Sequence, residues 1–223
     1  VFDCETNIVG SLRILDSMVE HNLSRIIFTS SGGTVYGVPD TYPISEDAAN
    51  FPISAYGIGK IAIEKYLKLY AYLHGIQATA LRISNPFGPG QDPEKGQGVI
   101  AAFVFKALQG ETIEIWGDGS VVRDFIYIDD LVDAMISALD VKDPFLLVNI
   151  GQGQGLSLRE VLSEIGREMG SEPSVRYEPA RSCDVPRIVL DVTKAKRVLA
   201  WEPKYTFREG LKKTIAHMMA AAD

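Results

Sequence analysis

Cysteine is scarce in these 223 residues: Cys4 and Cys183 are the two present, and their separation matches neither a metal-ligand pair nor a disulfide framework. That scarcity fits a reducing compartment, so the expected location is the cytoplasm. Long apolar runs are lacking as well. Val99 to Phe105 ends at Lys106, far short of the roughly 20 apolar residues of a spanning helix, and no membrane association is expected. Basic charge is in deficit, with 22 Lys and Arg against 29 Asp and Glu for a net charge of −7. No cluster of Lys and Arg offsets this, so a polyanion is repelled and nucleic acid is not an expected partner. A start methionine and a signal region are absent too; the chain opens on Val1 and reads as the C-terminal portion of a longer protein. What is present, 46% hydrophobic and 23% charged residues, is the composition of a globular protein with a substantial core rather than a disordered chain.

Periodicity organises the first 85 residues. Ile8, Leu12, Leu15 and Val19 recur at three- and four-residue steps and predict a helix over Glu5 to Asn22. Arg25 to Ser30 reads as a short buried strand. A loop rich in Gly, Pro and Asp fills Ser31 to Pro52, a long helix runs from Ser54 to His74 with Gly75 as its stop, and Ile76 to Ile83 is a second strand. This alternation is that of a doubly wound α/β protein, in which loops after the strands bind ligands. Beyond Asn85 the texture changes: Pro86, Pro89, Pro93 and Gly88, Gly90, Gly96, Gly98 mark a functional loop or a domain crossing. Further elements are a helix over Val99 to Gln109, strands at Ile113 to Trp116, Val122 to Ile128 and Phe145 to Ile150, and a helix opened by Ser157 with Glu160 in capping-box spacing. Strands near Val175 and Val189 and helices over Thr193 to Trp201 and Phe207 to Ala220 complete a smaller α/β lobe. Chain segments 1–85 and 86–223 form the expected division, with about 120–150 returning to the first domain.

Two groups of residues point to chemistry. Tyr56 and Lys60 stand at i and i+4, so both side chains leave one helix face a turn apart. A neighbouring cation favours the phenolate and lowers a tyrosine's pKa, which makes the phenol usable as a general base. A chance surface pair is the ordinary alternative. Upstream, Ser30-Ser31-Gly32-Gly33-Thr34-Val35-Tyr36-Gly37 sets hydroxyls and two glycines directly after a strand, where backbone approaches a ligand or simply turns.

Together with NIVG at 7–10, SAYGIGK at 54–60, LRISNPFGPG at 81–90, GDGSVVRDFIYIDD at 117–130 and RSCDVP at 181–186, that segment makes the chain resemble the extended short-chain dehydrogenase/reductases, in particular the NAD-dependent sugar-nucleotide epimerase/dehydratases. The resemblance implies the C-terminal part of a Rossmann-type doubly wound parallel sheet plus a smaller substrate-binding α/β lobe, with NAD as cofactor and a UDP-sugar as substrate. By the same resemblance Tyr56 is the acid/base, and Lys60 bonds the nicotinamide ribose while holding the phenol's pKa down. Asn7, Ser30 and Pro86 fall beside the cofactor. Asn85, Arg123 and Arg181 serve the substrate diphosphate, Asp184 a nucleotide ribose, and Val99 and Ile100 hold the nucleotide. Arginine suits phosphate because its fork offers paired donors. Trp116 is placed at an aromatic wall for the uracil, with a core tryptophan as the alternative. Ile188 is placed where side-chain size decides whether an N-acetyl group fits. A homodimer paired through the helices over Glu5 to Asn22 and Ser54 to His74 is implied, although Asp3, Glu5, Glu20 and His21 there read equally as a solvated face.

The sequence departs from that family in two ways. The position of the family's catalytic Ser or Thr, four residues before the tyrosine of VYG, is Gly32, so Ser31 or Thr34 must supply the hydroxyl, with Ser31 preferred. The Gly-rich GxxGxxG turn that opens the dinucleotide fold is missing, which implies little or no turnover by these residues alone. No carboxylate stands at Gly33 or Thr34, where dehydratases carry an Asp-Glu pair and decarboxylating relatives a Glu. The implied reaction is therefore interconversion of C4 epimers of a UDP-hexose through a 4-keto intermediate, against dehydration, decarboxylation or a non-catalytic cofactor-binding sensor as alternatives.

Overall fold

The computed structural model describes residues 1–93, 98–180 and 185–222. Its first layer is helical: a π-helical segment, Cys4–Val9, runs directly into α1 (Gly10–Glu20). Then come β1 (Arg25–Ser31), α2 (Ala55–His74) and β2 (Gln77–Ile83). The boundaries of α2 follow from local chemistry. Ser54 caps its start, accepting from the Gly57 amide at 3.1 Å, and Gly75 ends it in the left-handed region with φ 69°.

β1 pairs with β2 and β2 with β6 (Phe145–Ile150), both parallel, in the order β1-β2-β6. Alternation along β2 covers both faces of this sheet. Ala78 and Ala80 meet Leu15 and Met18 of α1 and Ile63 and Leu67 of α2. On the other face Leu81 and Ile83 pack with Leu131 of α4 (Ile128–Ser137) and Ala195 and Leu199 of α6 (Thr193–Leu199). Helices on both faces of a parallel sheet are the doubly wound arrangement.

The second lobe begins where β2 ends. β3 (Asn85–Phe87) pairs in parallel with β5 (Val122–Tyr127), which pairs antiparallel with β7 (Gly155–Ser157). β4 (Ile113–Trp116) pairs with β8 (Val175–Glu178). α3 (Val99–Leu108), α5 (Leu158–Met169) and α7 (Phe207–Ala222) enclose a core that includes Ile100, Phe103, Ile113, Phe125, Ile165 and Leu211. The expected capping box is present at Ser157 and Glu160.

The sequence reading differs in three places. Asn85–Phe87, expected as loop, is a short strand, because Pro86 sits at an edge where it need not donate to a ladder. β7 had no signal, its three residues being too few for a period. The strand expected near Val189 is instead a pair of isolated bridges, Ile44 to Leu190 and Val122 to Arg187. Among the described residues no helix is long and apolar enough to cross a membrane.

Candidate active site

Parallel strands end together, and their carboxyl ends are where α/β sheets bind ligands. Here Ser31 of β1 pairs with Ile83 of β2, and Asn85 and Pro86 follow within three residues. The Gly-rich turn after β1 and the start of the second lobe therefore share one edge.

Above that edge lies a cavity of about 460 Å³ lined by Asn85, Pro86, Val99, Ile100, Trp116 and Arg123 together with Glu114 and Phe125. Its volume is within the range of about 300–1,000 Å³ of small-molecule sites. Six of the residues singled out from sequence thus meet in one place. β4 presents Trp116 and Glu114 outward while Ile113 and Ile115 enter the core; Trp116 is 42% exposed, so the alternative of a core tryptophan does not hold. Asn85 donates its amide to the Asp124 carbonyl at 3.1 Å, and Arg123 Nη1 donates to the Val122 carbonyl at 2.9 Å. Asp124 is fully buried and accepts from the amides of Gln152 (2.7 Å), Gly153 (3.1 Å) and Leu190 (3.1 Å). Burial pushes its carboxyl up to about 6 against those hydrogen bonds. Asp124, which carried no sequence signal of its own, thereby fixes the backbone on which Arg123 and Asn85 are set.

Tyr56 and Lys60 lie on the first turns of α2. Gly57 lets that helix approach the Gly-rich turn: a Cβ there would stand 2.6 Å from the Thr34 carbonyl oxygen. Lys60 donates to the Thr29 carbonyl at 2.8 Å, and its Nζ lies 4.7 Å from the centre of the Phe28 ring and 5.3 Å from that of Tyr56. The expectation that Lys60 holds the phenol's pKa down is corrected here. Burial, and after it the Asp3 carboxylate, raise Tyr56 above its ordinary value, while burial lowers Lys60 against Asp3 and Glu64. With the ammonium directed at a backbone carbonyl, desolvation of the phenol outweighs its attraction.

The sequence leaves Asp3 open between a dimer face and a solvated one. In the structure its Oδ1 accepts from Asn7 at 2.9 Å, and its Oδ2 is buried without a partner, 3.6 Å from where a Gly59 Cβ would sit. Asn7 is accordingly tied to Asp3. Ser30, expected beside the cofactor, turns inward and donates to Glu64 Oε1 at 2.6 Å.

Gly32 explains the missing hydroxyl. A Cβ on it would lie 2.5 Å from Leu190 Cδ1 and 3.0 Å from the Arg82 carbonyl oxygen, so this position faces the core. A Cβ on Gly33 would instead have Ser31 Oγ as its nearest neighbour, at 4.0 Å. The Thr34 hydroxyl is buried and has no hydrogen-bond partner. Ile188 is fully buried against Val35, Tyr36 and Ile44, so its side chain meets the core rather than the cavity. Arg181 and Asp184 lie outside the described residues. Among the described residues no group of His, Cys, Asp and Glu is placed to hold a metal ion.

Comparison with known proteins agrees over nearly the whole chain. Residues 3–151 match the profile of the NAD dependent epimerase/dehydratase family. A UDP-glucose 4-epimerase of Mycolicibacterium smegmatis is 38% identical over 214 residues, covering 96% of this chain and 68% of that protein. The crystal structure of UDP-glucose 4-epimerase from Thermotoga maritima with UDP-glucose superposes with a TM-score of 0.95 at 38% identity, covering 99% of this chain and 71% of that one. The Thermus thermophilus UDP-glucose 4-epimerase complex with NAD gives a TM-score of 0.93 at 34% identity, over 99% and 72%.

Proposed function

The chain belongs to the NAD dependent epimerase/dehydratase family, and from that premise we propose that it is an NAD-dependent nucleotide-sugar epimerase that interconverts the C4 epimers of a UDP-hexose. The observation that carries this reading is the shared sheet edge: Lys60 of α2 bonds Thr29 near the end of β1, and two residues past the end of β2 Asn85 enters the wall of a cavity that also holds an outward tryptophan and an arginine.

The residues present fit the nicotinamide-ribose end of NAD. Lys60 carries three N–H donors and gives one to Thr29, which leaves two for the hydroxyls of a ribose; Tyr56, a turn earlier on the same helix face, is 44% exposed. NAD held there would supply the acceptor and donor of the hydride at the sugar C4. The chain's own part is the proton. Tyr56 takes the proton of the C4 hydroxyl as the C4–H bond breaks, leaving a 4-keto sugar, and gives it back to O4 after the sugar has turned in the cavity. Lys60, one helical turn away, favours the phenolate and so limits the rise that burial imposes on the phenol. Ser31, beside the open position at Gly33, supplies the hydroxyl that bridges O4 and the phenol. No carboxylate stands at Gly32, Gly33 or Thr34 to remove a further proton, which supports epimerisation over elimination of water.

Arg123 and Asn85 bind the diphosphate, Trp116 covers the uracil, and Val99 and Ile100 hold the nucleotide through the start of α3. Arg181 and Asp184 complete that set. Residues 1–85 belong to the cofactor domain and most of 86–223 to the substrate lobe; of the expected return at about 120–150, β6 pairs with β2 in the first sheet, whereas β5 pairs with β3 and β7 in the second. Exposed Ile14, Ile58, Leu69, Tyr72 and Leu73 on α1 and α2 support a homodimer through these helices, which sedimentation measures. The test of the reading is Tyr56→Phe in the protein expressed from its natural start. Loss of about 10²–10⁴-fold in conversion of UDP-glucose and UDP-galactose is expected, and unchanged turnover contradicts it.

A further inference from the structure

We propose that Glu64 is a positioning residue: gripped in the core by Arg82 and Ser30, it sets the spacing between the strand that presents Ser31 and the helix face that presents Tyr56 and Lys60. The proposal rests on the functional reading above. Tyr56, Lys60 and Glu64 stand at i, i+4 and i+8 of α2 and so share one stripe of the helix. Glu64 is 3% and Arg82 1% exposed. Ala78, Ala80 and Arg82 alternate along β2 toward α2, which aims the guanidinium at that stripe. Arg82 Nε donates to Glu64 Oε1 at 2.9 Å and Nη2 to Oε2 at 2.7 Å, a two-point fork, while Ser30 Oγ donates to Oε1 at 2.6 Å.

Ser30 is also the residue that pairs in register with Arg82, so β1, β2 and α2 meet at this carboxylate. One residue earlier the Thr29 carbonyl takes the Lys60 ammonium. Residues 29 and 30 therefore each bind α2, on successive turns, and Ser31 comes next. The grip extends outward: Arg82 Nη2 donates to Asn50 Oδ1 at 3.0 Å, its guanidinium lies 4.8 Å from the centre of the Tyr36 ring, and the Tyr36 hydroxyl donates to Asn149 Oδ1 of β6 at 2.6 Å.

Net stability is a poor reason for such a cluster, because desolvating both charges cancels most of their attraction and an apolar pair of equal volume serves as well. Geometry is a better one. Apolar contacts tolerate sliding of a helix on a sheet, whereas a bidentate fork has one geometry and fixes α2 against both rotation and translation. A displacement of the reacting groups by about 1 Å costs on the order of 100-fold in rate.

The experiment compares Glu64→Gln, Ser30→Ala and the double variant Glu64→Leu with Arg82→Met against wild type and Tyr56→Phe, in the protein expressed from its natural start. It reads kcat, KM for the nucleotide sugar, and melting temperature. Glu64→Gln is expected to lower kcat about 10- to 100-fold with KM within about twofold. The double variant, which leaves no unpaired charge, is expected to recover the melting temperature without recovering kcat. Ser30→Ala, which keeps the ion pair, is expected to lower kcat in the same direction, and it carries the test if Glu64→Gln does not fold. Recovery of kcat together with the melting temperature overturns the proposal, as does wild-type kcat in Glu64→Gln or Ser30→Ala while Tyr56→Phe is inactive. An active Tyr56→Phe protein, or a wild type that turns over no nucleotide sugar, instead overturns the functional reading, and the proposal with it.

Discussion

Lys60 donates its ammonium to the Thr29 carbonyl at 2.8 Å, which ties the face of α2 that carries Tyr56 to β1 two residues before Ser31. The same bond keeps the cation half-buried, and burial lowers its pKa. Lys60→Met removes the one cation on the Tyr56 face of α2's first two turns. A phenolate loses support when a nearby cation goes, so the phenol's pKa rises further and turnover needs a higher pH. We expect kcat to fall and the midpoint of the limb on which it rises with pH to move upward; an unmoved profile contradicts the role assigned to Lys60.

Gly32 tests where the hydroxyl comes from. Gly32→Ser restores the residue type that the family carries there, yet its Cβ meets Leu190 and the Arg82 carbonyl. Overpacking of this kind costs about 1–3 kcal/mol, so a lower melting temperature and no gain in rate are expected. Ser31→Ala should leave stability near wild type and lower kcat about 100-fold. Thr34→Ala affecting kcat more than Ser31→Ala would reverse the assignment.

Substrate affinity is expected to depend on Arg123. Arg123→Met removes a cation from the cavity wall without shortening the side chain's apolar stem. Charge-assisted hydrogen bonds contribute about 1.5–3 kcal/mol, so KM for the UDP-sugar should rise about 10- to 100-fold with little change in kcat. Equal loss in kcat alone would place Arg123 at the reacting sugar instead of the diphosphate.

The elements with long periods were legible in the sequence. α2 was found with both caps, because Ser54 and Gly75 announce them, and the Ser157 capping box fixed the start of α5. Asn85–Phe87 and Gly155–Ser157 were not, since three residues give no period and their pairing is with distant β5. The cavity residues were legible through family resemblance, and they do converge. What no local pattern carried is tertiary electrostatics. The direction of the Tyr56 shift depends on burial and on Asp3, more than 50 positions away, and the inward turn of Ser30 depends on Glu64 and Arg82. Gly32 looked like a lost catalytic residue until Leu190, far along the chain, explained it.

Stability should follow Asp124 at mildly acid pH. Its folded pKa of about 6 lies above the ordinary 3.8, so the folded protein binds a proton that the unfolded chain releases. The stabilisation is therefore full below pH 3.8 and lost as pH rises through about 6. A shift of that size is worth about 3 kcal/mol. Asp124→Asn, whose amide cannot accept at both positions, should cost about 1–3 kcal/mol at neutral pH and lack this dependence. Denaturant unfolding of both proteins from neutral to acid pH checks it: the gap should widen as pH falls, and a constant gap contradicts the account.

The central claim is hydride removal and return at C4 with Tyr56 handling the proton. Its most direct measurement is proton NMR and mass of the products formed from UDP-galactose in heavy water by the protein expressed from its natural start, with NAD present. Inversion at C4, no change of mass, and the original hydrogen still on C4 are expected. Deuterium at C4, or loss of water from the sugar, would contradict it.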